Sequence, residues 1–193
     1  EGTGVEKNYK EAITWFISAA KQSDSNGQCY LANMYIKGLG VSENYQEAIK
    51  WFLLAAEQGN IKAQTSLGKL YYTGYKVSKN YSLALKWFRL AGKNGDAESQ
   101  NMLGFMFDFG VGVKKNDEEA LKWYQLSADQ QDIDGQVDLG LKYLYGRGVT
   151  KNYEMAIQLI RLSAEKNNSR AQESLGNIYR KGRGVPRDYQ EAI

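Results

Sequence analysis

The sequence predicts an all-α protein, a right-handed α/α solenoid of 36-residue helix-turn-helix repeats. Three observations carry this. A glycine recurs as Gly2, Gly38, Gly74, Gly110, Gly146 and Gly182, always 36 residues apart, and a fixed period in this range marks a repeat architecture rather than a globular enzyme domain. Every complete period holds two Asn or Asp residues placed as helix N-caps. Composition agrees: the 193 residues include a single proline, 42% are hydrophobic and 24% charged, which favours helices and argues against disorder.

The first cap of each period is Asn8, Asn44, Asn80, Asn116, Asn152 or Asp188. Its side-chain oxygen accepts a backbone N–H that the first turn leaves unpaired. Glu11, Glu47, Glu119 and Glu191 follow three residues on, a variant of the capping box. The first helix of the repeat at Gly38 therefore starts after Asn44 and runs to about Gln58. Gly59 and Gly95 then offer left-handed C-caps. Ser23, Gln131 and Asn167 take that place in other copies, so those ends are expected to be less sharply defined.

A second cap follows at Asp24, Asn60, Asp96, Asp132 and Asn168 and opens the second helix, which runs to about Thr73 in this repeat. A Gly-x-Gly-Val turn closes the period, as in Gly38-Leu39-Gly40-Val41. Lys76 replaces the second glycine of the third turn, where a strained or reshaped backbone is expected. The helix pairs fall at about 5–37, 41–73, 77–109, 113–145 and 149–181, with a partial sixth repeat at 182–193, all in one repeat domain, 1–193. Both ends read as cut, because the first residues already form a repeat turn and Ile193 falls inside a first helix.

Tyr45, Ala48, Ile49, Trp51, Phe52, Ala55 and Ala56 make a broad apolar face on the first helix. All four tryptophans, Trp15, Trp51, Trp87 and Trp123, share one column, with Leu159 in the fifth place. Trp51, Trp87 and Trp123 are expected to be mostly buried, filling the space between helix pairs. The second helix has a narrower stripe of Ala63, Leu67, Gly68, Leu70 and Tyr71.

These residues carry a resemblance. Leu67-Gly68-x-x-Tyr71 with Gly74, then Tyr45, Ala48, Trp51-Phe52 and Ala55-Ala56, are similar to the Sel-one-like repeat family, relatives of the tetratricopeptide repeat. The resemblance covers the whole chain. Departures are Lys76, Asp117 for the tyrosine, Ala32 for the glycine of Leu-Gly, Leu159-Ile160 for Trp-Phe, and Gly92 for the second alanine. It implies a scaffold or adaptor whose second helices line a concave binding surface. A cysteine-rich branch staples each pair with disulfides, and this chain does not belong to it.

Several function classes are excluded or disfavoured. The chain has no histidine, which removes His-based triads, His-metal sites and imidazole acid–base chemistry. Cys29 is the only cysteine, so no intrachain disulfide is possible, and no base is placed beside it. Asp117, Glu118 and Glu119 sit at a helix N-terminus, where the helix dipole explains them without a metal. The Gly-x-Gly-Val turns follow helices rather than strands, unlike phosphate-binding loops. Neither an enzyme nor a cofactor is expected. No apolar run approaches the roughly 20 residues of a membrane helix. Charge is uneven: residues 1–90 carry 11 Lys+Arg against 7 Asp+Glu, residues 91–140 carry 4 against 10, and residues 141–193 carry 10 against 5. The acidic middle interrupts the continuous basic track that a nucleic-acid binder needs.

Gln28, Gln64, Gln100, Gln136 and Gln172 fill one column identically. Because ligand sites seldom repeat unchanged along a solenoid, these amides are assigned to backbone satisfaction between neighbouring pairs. Variation along the second helix is more informative. Phe105 and Phe109 in the third repeat, and Val137, Leu141, Leu144 and Tyr145 in the fourth, stand where Asn33, Lys37, Lys69, Thr73, Asn177 and Lys181 are polar. Lys142 sits in a column otherwise held by Met34, Leu70, Met106 and Ile178. The candidate docking residues are therefore Phe105, Phe109, Val137, Leu141, Leu144 and Tyr145, with Tyr72, and with Glu98, Asp108 and Asp134 as an acidic rim. The expected partner is a protein or peptide of basic and apolar character. The alternative is a cell-wall or carbohydrate binder, which would need exposed rings flanked by Asp and Asn.

Overall fold

A computed structural model describes residues 8–184. Among the described residues are ten α-helices and no strand: α1 (Tyr9–Lys21), α2 (Ser25–Lys37), α3 (Tyr45–Glu57), α4 (Ile61–Thr73), α5 (Tyr81–Lys93), α6 (Ala97–Phe109), α7 (Asp117–Asp129), α8 (Ile133–Tyr145), α9 (Tyr153–Ala164) and α10 (Ser169–Lys181). Gly2, Asp188, Glu191 and Ile193 lie outside the described residues. Each helix begins directly after its Asn or Asp. Asn44 Oδ1 accepts from the Glu47 N–H at 3.1 Å and Asn60 Oδ1 from the Ala63 N–H at 3.0 Å. The remaining helices are capped in the same way.

Two kinds of turn alternate. After each first helix one residue turns left-handed. Gly59 and Gly95 do so, and so do Ser23, Gln131 and Asn167, with φ of 62°, 60° and 62°. The looser ends expected at the three non-glycine positions are mostly absent; only α9, with 12 residues against 13 elsewhere, stops early. A shared hydrogen bond explains this. The N–H of the next cap returns to the helix, from Asp24 to the Ala19 carbonyl and from Asn60 to the Ala55 carbonyl, both at 3.1 Å, a closure that holds the turn whatever its side chain. After α2, α4, α6 and α8, the first-cap N–H bonds back to that helix, for example from Asn44 to the Tyr35 carbonyl at 2.9 Å and from Asn152 to the Tyr143 carbonyl at 3.0 Å.

Lys76 keeps the left-handed backbone of the glycine it replaces, with φ of 55°. Contacts that the sequence did not foretell accompany this strain. Its ammonium pairs with Glu43 and lies 5.3 and 5.6 Å from the ring centres of Tyr45 and Tyr75.

The chain divides into two compact units, Glu1–Asn94 and Gly95–Ile193. In the first unit the core collects Ala48, Phe52, Ala55, Ala63, Leu67 and Trp87 from α3, α4 and α5. In the second, one cluster forms around Ala120, Tyr124 and Leu139, and another around Val137, Leu144, Ala156, Ile160 and Ile178. Close helix approaches are made through the Leu-Gly glycines of α4, α6 and α8. A Cβ on Gly68 would meet the Phe88 ring at 2.6 Å, and one on Gly104 would meet Tyr124 at 2.5 Å.

The tryptophan column is graded. Trp87 is buried at 3%, Trp51 and Trp123 are half-buried, and Trp15 is 69% exposed. The residue after the tryptophan is the one that fills the core: Phe52, Phe88, Tyr124 and Ile160 are all at or below 1%. In α5, α7 and α9 that position faces the glycine of the preceding second helix and takes the volume its missing side chain leaves.

Candidate protein-docking face

Phe105 and Phe109, one turn apart on α6, lie against each other at a tilt, with ring centres 4.6 Å apart. Phe105 is half-buried, while Phe109 is 58% exposed. On α8, Tyr145 is 43% exposed and Leu141 is half-buried against the core beneath it. Phe109, Leu141 and Tyr145 line one recess of about 60 Å³, so the repeat does bring these departures together. Val137 and Leu144 do not share that surface. They are 0% and 4% exposed and belong to the core with Ala156 and Ile160, because their positions on α8 face α9. Tyr72 lies in the first unit, half-buried, with its ring centre 5.6 Å from that of Tyr81.

The acidic rim is arranged differently from the expectation. Glu98 and Asp134 are exposed but stand in the first turns of α6 and α8, at the opposite helix ends from Phe109 and Tyr145. Asp134 accepts a hydrogen bond from Asn168 at 3.1 Å. Asp108 is buried, and its carboxylate accepts from the Lys142 ammonium at 2.6 Å. Lys142, 2% exposed, also donates to Asp117 at 2.8 Å. This hydrogen bond holds the Asp117 carboxyl below its usual range.

A second ion pair, buried on its acidic side, lies close by. Asp138 accepts from Arg170, which is half exposed. Burial pushes the Asp138 carboxyl up despite the guanidinium. The Tyr124 hydroxyl is buried with no hydrogen-bond partner, and burial, then the neighbouring Asp138 and Asp108, push its ionisation far upward.

Between α8 and α10 runs a larger groove of about 310 Å³. Leu141 and Tyr145 give its apolar surface, with the buried Leu144 and Ile178 behind them, while Arg170, Lys181 and Arg183 stand among its polar lining. Arg147 and Arg183 each place a guanidinium carbon 5.3 Å from the Tyr145 ring centre. The positive charge beside the exposed ring was missed in the sequence, although Arg147 and Arg183 stand where earlier turns carry Leu39, Tyr75 and Val111.

The glutamine column does backbone work. Gln64 donates to the Ala56 carbonyl at 3.0 Å, and Gln28 and Gln172 donate to Ala20 and Ala164 at 3.4 and 3.3 Å. These carbonyls end the first helices and have no partner inside them. The Cys29 thiol is buried and pushed up by that burial, which makes it a poor nucleophile. Among the described residues no acidic or cysteine cluster is placed to hold a metal ion, and no helix is long and apolar enough to cross a membrane.

Comparison with known proteins now settles the family. The Sel1 repeat matches residues 1–24, 25–60, 61–96, 97–132, 133–168 and 169–193. The chain belongs to the Sel1 repeat family. It is an all-α repeat solenoid similar to c5321, a protective antigen of uropathogenic Escherichia coli displaying the same fold, at 38% identity and a TM-score of 0.90 over 99% of this chain. A Sel1 repeat protein from Oxalobacter formigenes is also 38% identical, with a TM-score of 0.90 over 95% of the chain. A Klebsiella pneumoniae Sel1 repeat protein, 21% identical over 93% of this chain and 88% of its own, shares the fold at a TM-score of 0.59. The chain spans 41% of the E. coli protein and 73% of the Oxalobacter protein. No curated protein matches the sequence. Sel1 repeats are commonly protein-interaction scaffolds and generally non-catalytic.

Proposed function

We propose that this Sel1 repeat protein is a scaffold without catalytic activity of its own, and that its second unit seats a partner protein on the second-helix face of α6, α8 and α10. The observation that carries the reading is the exposure of Phe109 and Tyr145 around one recess. Their equivalents in other repeats are Lys37, Thr73 and Lys181, so the repeat itself does not need rings there. Adjacent exposed rings are unfavourable in water and commonly mark an interface. The absence of histidine and the inert environment of Cys29 agree with a binding role. The carbohydrate alternative expects rings flanked by Asp and Asn, whereas Tyr145 is flanked by arginines.

The test uses a partner identified by crosslinking to the full-length protein and then purified. Phe109→Ala with Tyr145→Ala should weaken its binding about 30-fold or more, the scale of an interface hot spot, while the helical circular dichroism stays unchanged. Full-strength binding by a folded double variant overturns the docking site.

A further inference from the structure

We infer that the segment docked between α8 and α10 is acidic: a stretch of partner protein that sets an apolar side chain against Leu141 and the Tyr145 ring and turns carboxylates towards Arg147, Arg183 and Lys181. The inference rests on the docking face proposed above and reverses the charge expected from the sequence. Arg147 and Arg183 occupy the same position in consecutive turns, the one between the two glycines. In the earlier turns that position is Leu39, Tyr75 or Val111, so the turn itself does not require a cation. Both arginines converge on the single exposed ring of Tyr145, each 5.3 Å from its centre.

Two like charges gathered around one ring repel each other. Among the described residues no carboxylate pairs with either of them. The nearby acids are engaged: Asp108 with Lys142, and Asp138 with Arg170. Of the groove-lining residues only Glu173 is acidic, against Arg170, Lys181 and Arg183. An incoming carboxylate would relieve the repulsion and meet planar donors suited to two-pronged binding. The tyrosine ring and aliphatic wall beside them suit a peptide side chain rather than a bare phosphate. Complementary charge also steers the encounter and raises its rate.

The experiment selects peptides from an unbiased random library on the immobilised full-length chain, then measures the enriched peptides by fluorescence anisotropy. The expected peptides combine Asp or Glu with an apolar residue. Their affinity should fall at least about tenfold in Arg147→Glu/Arg183→Glu. It should be unaffected in Lys10→Glu/Lys93→Glu, which changes the net charge equally on α1 and α5 of the first unit. Binding should also be lost in Phe109→Ala/Tyr145→Ala, with all variants checked for native helicity. Basic or neutral peptides that still require Phe109 and Tyr145 overturn the acidic partner and leave the docking face standing. Failure to enrich any peptide, or peptides indifferent to the Phe109/Tyr145 pair, overturns both. An oligo-dT strand that displaces the selected peptides and binds more tightly also overturns the inference, in favour of a nucleic-acid surface.

Discussion

The corner where α4 meets α5 and the corner where α6 meets α7 have the same backbone and opposite chemistry. In the first unit Tyr72 packs against Tyr81 and Phe88, with ring centres 5.6 and 6.5 Å apart. One period later the equivalent residues are Asp108, Asp117 and Tyr124. Two rings have become two carboxylates, and Lys142 bridges them from a column that is Met34, Leu70, Met106 or Ile178 elsewhere. The repeat thus tolerates an aromatic cluster or a largely buried ion triad in the same frame, because caps and turns set the backbone independently of what fills the corner. Energetically the two solutions differ. Rings gain from apolar burial, whereas a buried ion pair must recover the desolvation of its charges and is fragile when one partner is lost.

The largest expected effect comes from breaking the triad on one side. Lys142→Met, the residue type of two sister repeats, should destabilise the protein by about 3–5 kcal/mol, because it strands the buried Asp108 carboxylate and leaves Asp117 only Lys115. Converting the whole corner to the set found one period earlier, with Asp108→Tyr, Asp117→Tyr and Lys142→Met, should be neutral or stabilising by about 1–4 kcal/mol. Urea unfolding measures both, and a mild single variant combined with a crippled triple variant would reverse the comparison. Titration sharpens it. The folded pKa of Asp117 lies below its unfolded value, so its contribution is present above the unfolded pKa and lost as pH falls through the folded one. Stability followed from neutral to acid pH should therefore fall less steeply in Asp117→Asn than in the native chain, and equal slopes would contradict the assignment.

A smaller effect is expected at Tyr124, whose first-unit equivalent is Phe88. Its buried hydroxyl has no partner, so Tyr124→Phe should stabilise the chain by about 1–2 kcal/mol. A loss of stability would mean that the hydroxyl is served by ordered water.

The smallest runs the other way, from the second unit to the first. Gln58 donates to Gln28 at 2.8 Å and Gln130 to Gln100 at 2.7 Å. Asn94, one methylene shorter in the same column, bonds the Leu90 carbonyl instead, and Gln64 Oε1 is left without a partner. Asn94→Gln should raise stability by about 0.5–1.5 kcal/mol in thermal unfolding.

What the sequence disclosed follows the range of each interaction. Caps such as Asn44 and Asn60 act within four residues, and so the helices could be read directly. Phe105, Phe109 and Tyr145 were visible as departures from a repeat whose other copies are polar. Val137 and Leu144 were misplaced on the surface because a second helix has two apolar neighbours, and one column spacing does not say which neighbour a residue faces. The triad was hidden because Lys142 reaches Asp108 and Asp117 across separate elements. Its signal was three coincident departures, Asp108, Asp117 and Lys142, each of which had a separate local explanation. The Arg147–Arg183 pair was obscured in the same way, inside turns whose glycines drew the attention.

The central claim is that the partner seats on the second helices of the second unit. Hydrogen exchange of the full-length chain, with and without the library-selected peptides, tests it most directly. Protection should rise at α8 and α10, residues 133–145 and 169–181, and around the C-terminal turn of α6, where Phe109 stands. Protection confined to the first helices α7 and α9, or to the first unit, would contradict the account.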